Sequence, residues 1–286
     1  MRTPPNLRAA IVAYYEQTWF DYRLVWTRKS HLGMHFGYWD ADTKSQAESV
    51  INTNRLVEER IRPRPGELLL DAGCGVGGTA FWLAARHRVR VLGITLSPTQ
   101  ARRARRYAAL RGLRGRVRFM LQDAMETAFA AGTFDAVYAI ESSNYAPDKR
   151  AWLEEAYRIL KPGGRLVVVD GFQTPRRLTP AEKEFQQSWL WGFAIPHLCR
   201  LDDFAGWAAD LGFERVRAEN RMENFRPSCR RLRRITFWLY PAAALLHALG
   251  IRSDVQHGNV RAAWGLWTAL RRDLWFYGIL SAVKGG

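Results

Sequence analysis

Hydrophobic positions along the chain fall into two kinds of run. Short, mostly apolar ones have strand length, Leu68–Leu70, Val89–Ile94, Val117–Leu121, Phe134–Ile140, Leu166–Asp170 and Trp275–Val283, and the charge-interrupted Phe213–Ala218 reads as a further short strand. Between them lie segments with apolar residues at helical spacing. These are residues 7–30 (Ile11, Tyr14, Tyr15, Thr18, Tyr22), Ser45–Arg62, Ala80–Ala84, Asp148–Leu160, Asp203–Leu211 and Val260–Leu274. Ser97-Pro98-Thr99-Gln100 and Thr179-Pro180-Ala181-Glu182 each have the form of a capping box, with proline at the first helical position. Strands and helices alternate from 68 to 172, which predicts an α/β fold with a doubly wound, Rossmann-like sheet. Aromatic-rich stretches at about 173–200 and 226–274 have no place in such a core. They are expected as helical cap insertions on a domain spanning 63–286, preceded by a helical segment over 1–62.

The first strand leads into Asp71-Ala72-Gly73-Cys74-Gly75-Val76-Gly77-Gly78, where Gly73, Gly75 and Gly78 satisfy the dinucleotide fingerprint. Two features count against a dinucleotide. Asp71 would face a bound pyrophosphate with like charge, and the second strand ends in Thr95 where a ribose-binding acid is wanted. A cationic sulfonium with a free amino group meets neither difficulty. Leu70-Asp71-Ala72-Gly73-Cys74-Gly75 followed by Gly93-Ile94-Thr95-Leu96-Ser97-Pro98-Thr99-Gln100 resembles the S-adenosylmethionine (SAM) methyltransferases of the tocopherol, sterol and cyclopropane fatty-acid synthase group. In pattern the chain is most like the gamma-tocopherol type, over about residues 14–284.

The resemblance implies seven strands with the last antiparallel between the fifth and sixth, and SAM as cofactor. It implies that Asp71, Gly73, Cys74 and Gly75 cradle that cofactor, that Thr95 and Gln100 contact its ribose, and that Asp123, flanked by Gln122 and Ala124, accepts from the adenine amino group. Gln100 also has the capping role as an alternative, and Asp123 a loop-capping one. Met34-His35-Phe36-Gly37-Tyr38-Trp39 resembles the family segment that closes over the methionine end, so Tyr38, Tyr14 and His35 are candidates to border the methyl; His35 can equally be a structural histidine. Glu141, leaving strand four beside Tyr145, is the candidate base, or else a ligand of the cofactor's amino group or a helix cap. Tyr145 stands where the family usually has histidine, which loosens any transfer of substrate identity.

Charge adds less. The formal net charge is +16, and arginine predominates over lysine, so either a biased composition or an anionic partner accounts for it. Concentrated patches occur at Arg102–Arg106 and Arg230–Arg234; the latter precedes an apolar run suited either to peripheral contact with an anionic membrane or to a buried amphipathic cap. Three cysteines without ligand spacing point to neither disulfides nor a metal. With no apolar leader in Met1–Pro5 and no run long enough to span a bilayer, a cytoplasmic protein is expected, with membrane contact at most peripheral. No nucleic-acid partner is expected. The aromatic insertions suggest a lipophilic small-molecule acceptor, methylated at carbon on an isoprenoid or prenylated ring; N-, O- or S-methylation, or cyclopropanation of a fatty-acyl chain, are the alternatives.

Overall fold

The computed structural model describes residues 6–286, so the extreme N-terminus read for targeting lies outside the described residues. Seven strands form one sheet: β1 (Leu68–Ala72), β2 (Arg90–Thr95), β3 (Val117–Leu121), β4 (Phe134–Ile140), β5 (Leu160–Gln173), β6 (Phe213–Asn220) and β7 (Trp275–Lys284), in the order β3-β2-β1-β4-β5-β7-β6. The first five are parallel, and β7 runs antiparallel to both β5 and β6. Leu166 to Val169 are fully buried, as strands covered by helices on both faces must be.

The helices are α1 (Leu7–Val25), α2 (Gln46–Ile61), α3 (Gly78–Arg86), α4 (Pro98–Leu110), α5 (Lys149–Ile159), α6 (Pro180–Gly192), α7 (Leu201–Asp210), α8 (Met222–Ala248) and α9 (Asp254–Arg271). Local signals start several of them. Asp148 caps α5 by accepting from Arg150 and Ala151, and Thr179 with Glu182 makes a full capping box on α6.

Three expectations need correction. Strand five is longer than Leu166–Asp170: Lys161-Pro162-Gly163-Gly164 ends α5 but is absorbed into β5 as a bulge, where the register against β4 jumps between Phe134 and Ala136. The stretch from 226 onward is one 27-residue helix beginning at Met222, despite Pro227 and Pro241. Each proline removes a bond to the carbonyl four residues earlier, on Glu223 and Phe237, and both of those residues are exposed, where solvent can substitute for the lost donor. The helix expected from Val260 starts earlier, at Asp254, behind a capping box of Ser253 and Gln256.

Candidate active site

A cavity of about 530 Å³ lies over the carboxyl ends of β1, β2, β4 and β5 and continues between α1, α6, α8 and α9. Its floor is the turn after β1, where Gly73, Gly75 and Gly77 have φ of +106, +52 and +91°. The Gly73 and Cys74 amides donate to the Ile94 carbonyl (3.1 and 2.9 Å), folding the turn back on β2. A Cβ on Gly73 would stand 2.2 Å from the Ser142 side chain, whereas one on Gly75 would meet only Met34 Sδ, at 3.4 Å. Gly78 has another role. A Cβ there would strike the His31 carbonyl at 2.6 Å, so this glycine lets the segment after α1 lie on the start of α3.

Asp71 reaches the cavity floor from β1, and burial raises its pKa to about 7, with the Tyr138 hydroxyl beside it opposing the shift. No cation among the described residues pairs with it. At the end of β2, Thr95 and Gln100 both line the cavity and are joined, the Thr95 hydroxyl donating to Gln100 Oε1 at 2.7 Å. Ser97 caps α4 by accepting from the Gln100 amide, but Gln100 does not complete the expected box: the Ser97 amide donates to Thr95 Oγ1 instead. Gln122, Asp123 and Ala124 line the same end. Asp123 Oδ1 accepts from the Met125 amide at 3.0 Å, and the buried Gln122 Oε1 has no partner among the described residues.

Glu141 follows β4 in a left-handed conformation, φ +51°, that turns its side chain into the cavity. Its carboxylate accepts the Phe36 amide at 2.6 Å and the Tyr277 hydroxyl. Burial raises its pKa to about 8, against those two hydrogen bonds and reinforced by Asp170. The following turn is built on Asp170 of β5, which accepts from Ser143 Oγ (2.7 Å), Asn144 N (3.1 Å) and Asn144 Nδ2 (2.6 Å), while the buried Lys149 ammonium donates to the carbonyls of Asn144 and Ala146. That knot presents Tyr145 to the cavity, its hydroxyl accepting from Tyr15 at 2.9 Å.

Two expected site residues are not brought to the cavity. Tyr14 is buried between α1 and α9, its hydroxyl bonded to Tyr22 and Asn259, and its neighbour Tyr15 takes the cavity-facing position. Tyr38 packs its ring edge-on to Phe225, with its amide held by Ser49 and Thr53; Met34, His35 and Phe36 of the same segment do line the cavity. His35 binds the Phe36 carbonyl through Nδ1 and leaves Nε2 without a partner among the described residues, and burial lowers its pKa to about 4. Tyr277, Asp170 and Lys149 were missed as site residues. Only the position of Asp170 at a strand's carboxyl end could have drawn notice.

The chemistry of the floor fits SAM. A buried carboxylate without a cation suits the cofactor's ammonium, the glycine turn is open above Gly75, and Gln122 keeps a free acceptor where nucleoside is expected. A methyltransferase-domain family model matches residues 70–168. An O-methyltransferase of Pyrenophora dematioidea is 35% identical over 206 residues, covering 68% of this chain and 73% of that one. A probable chloroplastic tocopherol O-methyltransferase of Oryza sativa subsp. japonica is 30% identical over 240 residues, 78% of this chain; the chain spans 65% of that relative's length. Among solved structures, the [4+2]-cyclase SpnF superposes with a TM-score of 0.79 at 25% identity, over 96% of this chain and 95% of that one. Geranyl diphosphate C-methyltransferase from Streptomyces coelicolor A3(2), solved with Mg2+, geranyl diphosphate and S-adenosyl-L-homocysteine, gives 0.75 at 20% identity over 99% and 100%.

Proposed function

The chain belongs to the SAM-dependent methyltransferases, and from that premise we propose that it methylates a neutral, lipophilic small molecule at a carbon of an isoprenoid or prenylated acceptor. The observation that carries this reading is the continuity of one cavity from the glycine turn into an apolar helical wall, with Glu141 at the seam. Bound there, SAM supplies an electrophilic methyl on a sulfonium. Asp71 and Gly73 to Gly75, Cys74 included, would hold its amino-acid end, Thr95 and Gln100 its ribose, and Gln122, Asp123 and Ala124 its adenine. The wall residues Leu232, Ala243 and Leu266 exclude water and orient the acceptor, which by itself lowers much of the barrier. Rings of Tyr15, Phe36, Tyr145 and Tyr277 offer faces to positive charge developing on a carbon acceptor. Glu141, once ionised, takes the proton that the acceptor must lose.

A diphosphate-bearing acceptor fits poorly. Among the described residues the lining cations are Arg8 and Arg252, and Arg252 is committed to Asp21 through two bonds of 3.1 and 2.7 Å. Transfer to a hydroxyl oxygen is the second reading, favoured by the O-methyltransferase names of relatives at 30 to 35% identity; Glu141 would then take the hydroxyl proton. The test incubates methyl-deuterated SAM with a lipid extract and locates the label by NMR of the product. Label on carbon is expected. Label on oxygen establishes the second reading, and SAM binding without transfer to any lipid-soluble molecule overturns both.

A further inference from the structure

Apart from Leu110, Met120 and Leu121, the large apolar side chains exposed among the described residues belong to α1, α8, α9 and the turn between the last two. Phe20 and Leu24 of α1, Phe237, Trp238, Leu239, Leu245 and Leu246 of α8, Leu249 and Ile251 in the α8–α9 turn, and Trp264 of α9 are all open to solvent, Trp238 to 77%. The turn is tied to α1 by the Arg252–Asp21 pair and by Ser253 and Gln256 on Gln17, which brings these groups together. Four of them, Phe20, Leu24, Leu239 and Leu246, also line the cavity. The mouth of the acceptor end therefore opens within the apolar patch.

Charge defines what can cover it. Along α8 the exposed face runs Arg230, Arg233, Arg234, then Trp238, Pro241, Leu245 and Leu249, so cations and apolar groups form one stripe at helical spacing. Residues 227–272 contain eight arginines and a single acid, Asp254. A second copy laid on this face would set like charges together, whereas anionic headgroups complement it. Among the described residues no helix is long and apolar enough to cross a membrane, so any contact is with the surface layer. We infer that this face docks on an anionic lipid bilayer, with Trp238, Leu245, Leu249 and Ile251 entering the interface and Arg230, Arg233 and Arg234 at headgroup level, so that a lipophilic acceptor reaches the cavity without crossing water. This rests on the proposed lipophilic acceptor.

The experiment is co-sedimentation of the full chain with phosphatidylcholine vesicles prepared with and without phosphatidylglycerol, with SAM binding measured on the same samples by calorimetry. Binding to the anionic vesicles is expected, weakening with salt and accompanied by a blue shift of tryptophan emission. The combined Arg230→Gln, Arg233→Gln, Arg234→Gln variant should bind them roughly a hundredfold more weakly, and Trp238→Asp with Leu245→Asp should abolish pelleting. Neither variant should change SAM affinity, because none of these side chains lines the cavity. Equal binding to neutral vesicles, unaltered binding by the variants, or a dimer in sedimentation velocity that Trp238→Asp dissociates would overturn the inference. SAM binding by the unaltered chain tests the methyltransferase reading separately.

Discussion

Glu141 combines three things that a proton acceptor needs: a place at the seam of the cavity, two donors that fix its orientation, and a pKa near 8. At neutral pH most of it is protonated, so turnover should rise with pH toward that value. Glu141→Gln should flatten the acid limb and lower kcat by about 100-fold, with SAM affinity nearly unchanged; an unaltered pH–rate profile would remove Glu141 from the chemistry. Tyr277→Phe deletes a hydrogen bond that holds the Glu141 pKa down, so the same limb should move to higher pH. Asp71 behaves differently. Its pKa of about 7 without a cationic partner predicts that SAM binding tightens as pH rises through 7, since the ionised carboxylate is the form that attracts the ammonium. Calorimetry across pH 6 to 8 checks this, and Asp71→Asn should bind weakly with no such slope.

At the scale of elements, the cap is held to the cofactor side by a contact that the sequence does not announce. Glu16 of α1 accepts from Ser97 Oγ (2.5 Å), from the Thr99 amide (3.0 Å) and from the Thr99 hydroxyl, so one helix caps the amino end of another, α4. Burial alone would raise the Glu16 pKa, but these donors hold it below the usual carboxylate range. Glu16→Ala should raise KM for SAM while leaving kcat close to normal, at a cost of about 1 kcal/mol in stability, measured by steady-state kinetics and denaturant titration. The contrast with β1 shows what was legible. Strand, glycine turn and helix announce themselves through residues adjacent in sequence, as do Ser97-Pro98 and the Thr179 to Glu182 box. The identity of the cavity-facing tyrosine was not legible, because Tyr14 and Tyr15 both fit a helical stripe and one position of phase separates them. Nor could the sequence join Glu141 to Tyr277, 136 residues apart, or carry α8 through two prolines, whose tolerance depends on which carbonyls face water.

For the whole molecule, two buried carboxyls that keep their protons make stability depend on pH in a particular direction. Asp71 and Glu141 titrate near 7 and 8 when folded and near 4 when unfolded, so between those limits the folded chain binds more protons. Their stabilising contribution is complete below about pH 4 and is lost as pH rises through about 8. Below about pH 6.5 the buried His31 and His35, held neutral down to about 4, act in the opposite sense, so the cofactor-free protein should melt at lower temperature as pH climbs from about 6.5 to 8, and the Asp71→Asn, Glu141→Gln double variant should show a shallower slope; an equal slope in both would place the dependence elsewhere. Saturating SAM should flatten it too, since the ligand favours ionised Asp71.

The insertion of β7 between β5 and β6 orders events in time as well as space. During synthesis every residue from Leu7 to Leu274 leaves the ribosome before the strand that joins those two, so until then one edge of β5 is unpaired and β6 has no strand partner at all. The same late segment carries Tyr277 to Glu141. A nascent chain can thus form its glycine turn early, yet neither the sheet nor the proton acceptor is complete until the final strand slots into place.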